Sequence, residues 1–574
     1  MPDFDLIVRG GTVIDGTGTE PEVADVAVID GVIAAVGEVT GTAAHEVDAV
    51  EMLVTPGWVD VHTHYDGQAT WDHHLAPSSW HGVTTVVMGN CGVGFAPVHD
   101  RDHDALVELM EGVEDIPGAA LHEGLSWNWT DFAGFLDAVA SVPHDIDVAA
   151  QVPHGALRLH VMGQRGADRE AATADEVAEM GHLAREAIEA GALGFTTSRT
   201  LNHKTSRGEP TPTLTASADE LVGIAATIGE SGAGVLQVVS DFIDFDAEFA
   251  MLRQMVAESG RPLSVSVAQS PVAPDAYHRI LDAIAEANAD GLRITGQVAT
   301  RAVGLIFGLE CTLNPFLTNR VYRDLAGLSL DDRVREMRDP AVKAAVLAAH
   351  QDGLKSGKLG GNLLTLFDRM FVLTDPPDYE PDPSSSILGR AQAAGCDPAE
   401  LAYDELIADD GHALLYVTFL NYANWNLDAV GEMLVHPNTV PGLSDGGAHV
   451  GTICDGSFPT FLLEHWGRDR STGRIPVAEL VKMHTADTAD LVGLHDRGRL
   501  APGYRADVNI IDFAALRTRR PEVHHDLPAG GRRLLQRADG YRHTFVAGTE
   551  IMRDGEPTGA LPGRLVRGGQ PAPN

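Results

Sequence analysis

The chain has 574 residues, 44% of them hydrophobic, with a net charge of −41. That is too long for one small domain and too apolar for a wholly disordered protein, and the acidic excess argues against nucleic acid and anionic membrane surfaces as partners. No stretch approaches the ~18 apolar residues needed to span a bilayer, and the start MPDFDLIVRGG has no basic segment followed by an apolar one, so a cytoplasmic location is expected.

In chain order, the first fifty residues alternate Val and Ile runs with Asp-Gly turns, in DLIVRGGTVIDGTG and VADVAVIDGVIAAVGEV. This pattern predicts hairpins of an antiparallel sheet. The same texture returns after about Leu500, in GYRADVNIIDF and YRHTFVAGTEIMRDGEPTG. Residues 1–55 and 500–574 are therefore expected to assemble one small β-sandwich from both ends of the chain.

The segment LVTPGWVDV reads as a buried strand, and it runs directly into His62, Thr63 and His64. Side chains alternate faces along a strand, so the two imidazoles point the same way and could grip one metal ion. β-like and helix-like stretches then alternate: VTTVVMGN with DALVELMEG, DVAAQVPHG with ADEVAEMGHLAREAIEAG, ALGFTTSR with SADELVGIAATIGESG, GVLQVVSDF with DAEFAMLRQMVAESG, and PLSVSVAQS with YHRILDAIAEANADG. Apolar spacing at i, i+3 and i+4, closed by Gly, marks the helices. The expected class is α/β, a (β/α)8 TIM-like barrel over 56–499 with active residues at the C-terminal ends of its strands. Between about 301 and 414 the pattern weakens into a Pro-, Asp- and Leu-rich insertion, either a lid over the mouth or an oligomer contact.

Three further segments fall where a metal site would want them. Cys91 follows the strand TTVVM, where a deprotonated thiolate would be a good zinc ligand. Asp445 lies in SDGGAH, with Gly446 and Gly447 allowing a sharp turn, and His154 sits at another strand end. A carboxylate near a bound metal can take a proton from activated water and return it to a leaving amine. The other cysteines, Cys311, Cys396 and Cys454, are scattered without CxxC spacing and read as small hydrophobes.

Together, GGTVIDGTG, PGWVDVHTH, the Cys91 segment, VPHGALRLHVMG, EAGALGFTTSR, LSDGGAHV and GRLAPGYRADVNIIDF resemble the amidohydrolase superfamily, in its N-acyl-D-amino-acid deacylase branch, often called amidohydrolase family 3. The resemblance covers nearly the whole chain. It implies a barrel with a small β-sandwich, zinc, and hydrolysis of an amide or related non-peptide C–N bond. His62 and His64 match the first-strand ligands, Cys91 the cysteine ligand, and Asp445 the last-strand acid/base. The branch also places one histidine on the fifth strand and one on the sixth. Here Gln237 and Gln269 stand near those positions, and a neutral amide is a poor zinc ligand beside imidazole.

The expected site is therefore one ion rather than two, zinc or another divalent metal, held by His62, His64 and Asp445 with Cys91 alongside. His203 is the alternative ligand but is read as touching substrate. Arg199, Lys204 and Arg301 follow strands and could bind a substrate carboxylate, Arg through its bidentate fork, although a salt bridge within the loops is the competing role for at least one. Tyr422 and Trp425 are either an apolar wall or core, and His412, His436 and His449 receive no role. The expected partner is a small, carboxylate-bearing molecule, with homo-oligomerisation left open. A lactone, a cyclic imide, or a non-catalytic scaffold that has lost ligands are the competing readings.

Overall fold

The computed structural model describes residues 2–354 and 363–573, so part of the 301–414 insertion, residues 355–362, lies outside the described residues. Eight parallel strands run in sequential order: β1 (Trp58–Asp60), β2 (Val83–Met88), β3 (Asp147–Pro153), β4 (Gly194–Arg199), β5 (Val235–Ser240), β6 (Leu263–Val267), β7 (Ile294–Val298) and β8 (Thr439–Pro441). Every residue of β2 and β3 is buried, as expected for parallel strands covered on both faces. Amphipathic helices such as Ala174–Ala190 and Ala218–Gly229 pack outside. The first carries a capping box, Thr173 with Glu176, and ends on left-handed Gly191. The TIM-like barrel read from the repeat is the fold observed.

The two chain ends pair as anticipated. A nine-stranded sheet interleaves strands from Phe4–Val13 through Leu53–Pro56 with Val508–Ile511 and the strands from Tyr541–Val546 to Glu556–Pro557, with Leu53–Pro56 bonded directly to Val508–Ile511. Leu6, Val8, Val26, Val28, Val508, Ile510 and Phe545 fill its core. Residues 517–539 depart from that sheet. Glu522–Leu527 and Gly531–Leu535 form a hairpin that crosses to the barrel mouth, where Leu534 N donates to Val450 O at 2.6 Å. The last residues also leave it, with Leu565 bridging to Val148 on β3. Short polar runs between turn residues gave no periodic sign of either excursion.

The insertion is an ordered unit with a core of its own. Val303–Phe307 and Met370–Val372 flank Leu415–Leu420 in an antiparallel sheet, and Phe316, Tyr322, Met337, Tyr403 and Leu406 pack against it. It is fastened to the barrel by two polar clamps. Arg301, fully buried, donates to Asp455 Oδ1 at 2.9 Å while its guanidinium lies 3.5 Å from the Tyr379 ring centroid. The next residue, Glu380, accepts from Arg470, from His465 and from Leu427 N, all within 3.0 Å. Among the described residues no helix is long and apolar enough to cross a membrane.

Burial opposes the Glu380 charge, but the hydrogen bonds from His465 and Arg470 outweigh it and pull the carboxyl from 4.5 down to about 2. A folded-state value below the unfolded one means that ionised Glu380 stabilises fully above about pH 4.5, a contribution lost as the pH falls towards 2. Glu380→Gln should therefore lower stability at pH 7 by on the order of 2 kcal/mol, discounted for partial solvation. In urea unfolding monitored from pH 7 to pH 3, the gap to wild type should narrow below about pH 4.5. A gap that stays constant with pH would refute this account of the clamp.

Candidate active site

The barrel is closed by the segments that follow β1 and β8. Asp445 N donates to His62 O at 3.1 Å, His64 N donates to Gly446 O at 2.8 Å, and Thr63 bridges to Gly446 in parallel register. Glycine is required at this seam. A Cβ on Gly446 would lie 2.6 Å from Ser78 Oγ, and Gly447 has a φ of +87° with Tyr65 against it. Ser444 donates to Asp60 Oδ2 across the same seam.

On this frame His62 and His64 are both buried and point inward together. His62 Nδ1 lies 2.7 Å from Gln297 Oε1, and Gln297 Nε2 donates to Ser264 Oγ at 2.9 Å. An amide oxygen only accepts, so Nδ1 carries the proton and the Nε2 lone pair faces the site. That Nε2 lies 3.3 Å from Cys91 Sγ and 3.4 Å from Asp445 Oδ1. His64 Nε2 lies 3.6 Å from the same Asp445 oxygen. His62, His64 and Cys91 offer donor atoms that all lie within 4.8 Å of one another.

Cys91 sits in a tight turn between Gly89 and Gly92, itself left-handed at φ 55°. Its N–H donates to Gln237 Oε1 at 3.3 Å. Gln237 thus holds the cysteine backbone where the family's fifth-strand histidine was expected. Gln269 turns away from the cluster: its side-chain oxygen accepts from Ala423 N at 2.9 Å and its N–H donates to Asn421.

The cluster's electrostatics fit a divalent ion. Burial disfavours the charge of Asp445, but His64, His62 and His449 around it overcome that cost and hold its carboxyl far below the usual range. Burial, with the carboxylates of Glu114, Asp445 and Asp66, pushes the Cys91 thiol well up, a bias that a cation among these donors would reverse. Both ring nitrogens of His64 are buried without a hydrogen-bond partner. Donors 2.0–2.3 Å from a tetrahedral zinc would stand roughly 3.3–3.8 Å apart, the range of the His62–Cys91, His62–Asp445 and His64–Asp445 separations. These residues fit such an ion.

The other anticipated residues are placed differently. His203 lies beside the cluster, sharing a hydrogen bond with Ser198 Oγ at 2.8 Å, and burial with the neighbouring imidazoles pushes its pKa down to about 3. Arg199 is engaged by Glu248 through a bidentate pair at 2.6 and 2.8 Å, and Arg301 is closed in by Asp455 and Tyr379. Both arginines are thus held in salt bridges, Arg199 at the end of β4 by Glu248 of the helix Phe245–Ser259 and Arg301 by Asp455 of the loop after Asp445. Lys204 is exposed and bridges through its backbone to Pro210. His154 is turned into a buried set with Thr197, Glu220 and Arg158. Tyr422 is buried, its hydroxyl on Pro381 O, and Trp425 lies under Arg369.

Sequence reasoning passed over Gln297 and Glu114. Glu114 closes the helix His103–Glu114, fully buried, with Oε1 3.3 Å from His64 Nδ1 and Oε2 3.6 Å from His449 Nε2. Its spacing from Val107 and Met110 puts an acid on the buried stripe of that helix, which is the sign that could have found it. Gln297 is likewise a polar residue inside the apolar run ITGQV.

Comparison with known proteins identifies the family. The amidohydrolase family profile matches residues 45–357 and 394–552. A D-aminoacylase of Alcaligenes xylosoxydans xylosoxydans is 26% identical over 569 residues, covering 98% of this chain and 97% of that protein. A solved D-aminoacylase structure, described for the functional role of its binuclear metal centre, is 25% identical with a TM-score of 0.65, covering 98% of this chain and 100% of that one. An N-acyl-D-glutamate deacylase from Bordetella bronchiseptica, solved with zinc and a phosphonate inhibitor, shares the fold at 24% identity, a TM-score of 0.63 and coverage of 98% and 99%. The chain belongs to the amidohydrolase family, in its N-acyl-D-amino-acid deacylase-like branch, and is a metal-dependent hydrolase acting on C–N bonds.

Proposed function

We propose that this protein hydrolyses the amide bond of an N-acyl D-amino acid or a similar N-acyl compound, using one zinc ion held by His62, His64, Cys91 and Asp445. The observation that carries the reading is the convergence of these four side chains at the barrel seam, His62 Nε2 lying 3.3 Å from Cys91 Sγ and 3.4 Å from Asp445 Oδ1. The full-length likeness to a D-aminoacylase supports the substrate class.

A divalent ion bound there supplies Lewis-acid polarisation of the scissile carbonyl and makes water acidic enough to ionise near neutral pH. The protein's own groups do the rest. Asp445, held ionised by the surrounding imidazoles, accepts the proton that the attacking water loses and returns it to the departing nitrogen. Its side chain keeps 19% of its surface exposed, enough to face substrate. His62 is kept in one tautomer by Gln297, so its lone pair stays on the site side. His203, uncharged above about pH 3, stands at the rim of the cluster to meet the substrate. The cleft beside Asp445 is bounded by Ala76, Pro77 and the hairpin residues Arg533 and Leu534.

Protein purified without chelator should carry close to one equivalent of transition metal by elemental analysis, and a metal-free active enzyme would overturn the reading. With metal supplied in excess to offset the weakened ligand, Asp445→Asn should still turn over roughly 10²- to 10⁴-fold more slowly than wild type. An Asn variant of near wild-type rate would give the proton transfer to another group. In a substrate panel, amine release is expected from N-acetyl-D-amino acids, with N-acetyl-L-amino acids and cyclic amides much slower. Turnover confined to the cyclic amides would move the protein to a different reaction on the same site.

A further inference from the structure

The Glu114 carboxylate is taken out of water with no hydrogen bond to either oxygen. An unpaired buried carboxylate costs several kcal/mol unless something nearby compensates it. Two imidazole nitrogens face it: His64 Nδ1 at 3.3 Å from Oε1 and His449 Nε2 at 3.6 Å from Oε2. The opposite nitrogen of His64, Nε2, is the one that faces Asp445 and the donor cluster. His64 therefore lies between a carboxylate behind it and the site in front of it.

The local structure is built to hold Glu114 there. The helix ends at Glu114 because Asp115 takes a left-handed conformation at φ 53°. The Asp115 carboxylate then accepts from Gly451 N and from Thr312 Oγ1, both at 3.2 Å, which ties the helix end to the loop following Asp445. A Cβ at Gly451 would lie 2.2 Å from Thr312 Oγ1, so the approach depends on glycine. At Gly112 a Cβ would lie 2.1 Å from the Thr205 carbonyl carbon, pressing the helix against the loop that carries His203. These constraints aim Glu114 at the back of His64.

We infer that Glu114 is a positioning residue for the metal site: its carboxylate stands 3.3 Å behind His64 Nδ1, where a small turn of the ring would let it accept the Nδ1 proton, fix the tautomer and leave Nε2 to the ion as a stronger donor. A ligating imidazole commonly gives its other N–H to a carboxylate or carbonyl in this way. His62 has the neutral equivalent in Gln297, at 2.7 Å. The pair of first-strand imidazoles is thus backed by one amide and one acid, and the acid would add negative charge beside a buried cation, with Gln237 and Gln269 near the positions where the resemblance expects histidines.

The inference rests on the metal-site reading above, and one titration separates the two. Full-length protein stripped with chelator is titrated with zinc against a competing chromophoric chelator, wild type beside Glu114→Gln. Wild type should bind about one ion, and Glu114→Gln should bind it 10- to 100-fold more weakly. The metal-free variant should melt no lower than metal-free wild type, since an unpaired buried carboxylate has been removed. The cobalt-loaded variant should show shifted visible bands, a change that a purely structural role would not produce. Wild type that binds no zinc would sink the metal-site reading itself. Wild-type zinc affinity and an unchanged cobalt spectrum in Glu114→Gln would overturn the role of Glu114 alone. If Glu114→Gln does not fold, Glu114→Asp serves in its place: the withdrawn carboxylate should give intermediate zinc affinity, and wild-type affinity there would equally overturn the inference.

Discussion

The seam between β1 and β8 is the constraint on which the rest of the structure depends. A parallel sheet can bury all its backbone polar groups only if its edges meet, and here they meet just beyond the strands, through Asp445 N to His62 O and His64 N to Gly446 O. The bonds that close the barrel are therefore made by His62, His64 and Asp445, whose side chains also face one another beside Cys91. Placing the cluster costs little extra ordering, because the backbone is already fixed by the fold. Gly446 and Gly447 are the steric condition for this, since Tyr65 and Ser78 occupy the space where side chains would project.

Around the seam, buried charge is organised in layers. At the far end of the barrel, fully buried Arg497 donates to Asp147 at 2.8 Å and to Thr85, while Arg505 from the terminal sheet reaches the other Asp147 oxygen. At the mouth, Arg301 and Glu380 fasten the insertion to the barrel through Asp455, Tyr379, Arg470 and His465. Removing one member of such a pair strands the other in low dielectric, so these contacts specify how the insertion and the terminal sheet sit on the barrel more than they add stability. The two arginines that looked like substrate anchors from their positions after strands belong to this framework. A cation at a strand end and a carboxylate one helix turn into a neighbouring element are far apart in sequence, and nothing in either local pattern announces that they meet.

What was legible in the sequence was whatever depends on short-range periodicity. The two-residue period of a strand puts His62 and His64 on one face, the 3.6-residue period marks the barrel helices, and Asp-Gly turns mark the terminal hairpins. Tight turns also show through, as at Gly89–Gly92 around Cys91 and Gly446–Gly447 beside Asp445. What stayed hidden is set by tertiary contact. The insertion's own core joins helices and three strands that pair antiparallel across long stretches of chain, contacts that no local period announces. The hairpin at 522–535 looks like part of the terminal sheet until Leu534 is seen bonded to Val450. Glu114 and Gln297 were readable only as polar residues in apolar company, which signals that something unusual is nearby without saying what.

The two glutamines give this arrangement its direction. An imidazole and an amide are similar in reach, so replacing one by the other on β5 or at the end of β6 need not disturb packing, but it removes a donor with an accessible lone pair on nitrogen. Gln237 has instead become a fixture for the backbone of Cys91, and Gln269 a fixture for the loop at 421–423. Both glutamine side chains are thus part of the scaffold. A buried divalent ion still requires compensating negative charge and well-oriented nitrogen donors. In the proposed site these come from the seam and the turn after β2: carboxylate and imidazoles from Asp445, His62 and His64, the last backed by Glu114, and thiolate from Cys91. Three of the four proposed ligands are thus residues that close the barrel, which ties the integrity of the site to that of the fold.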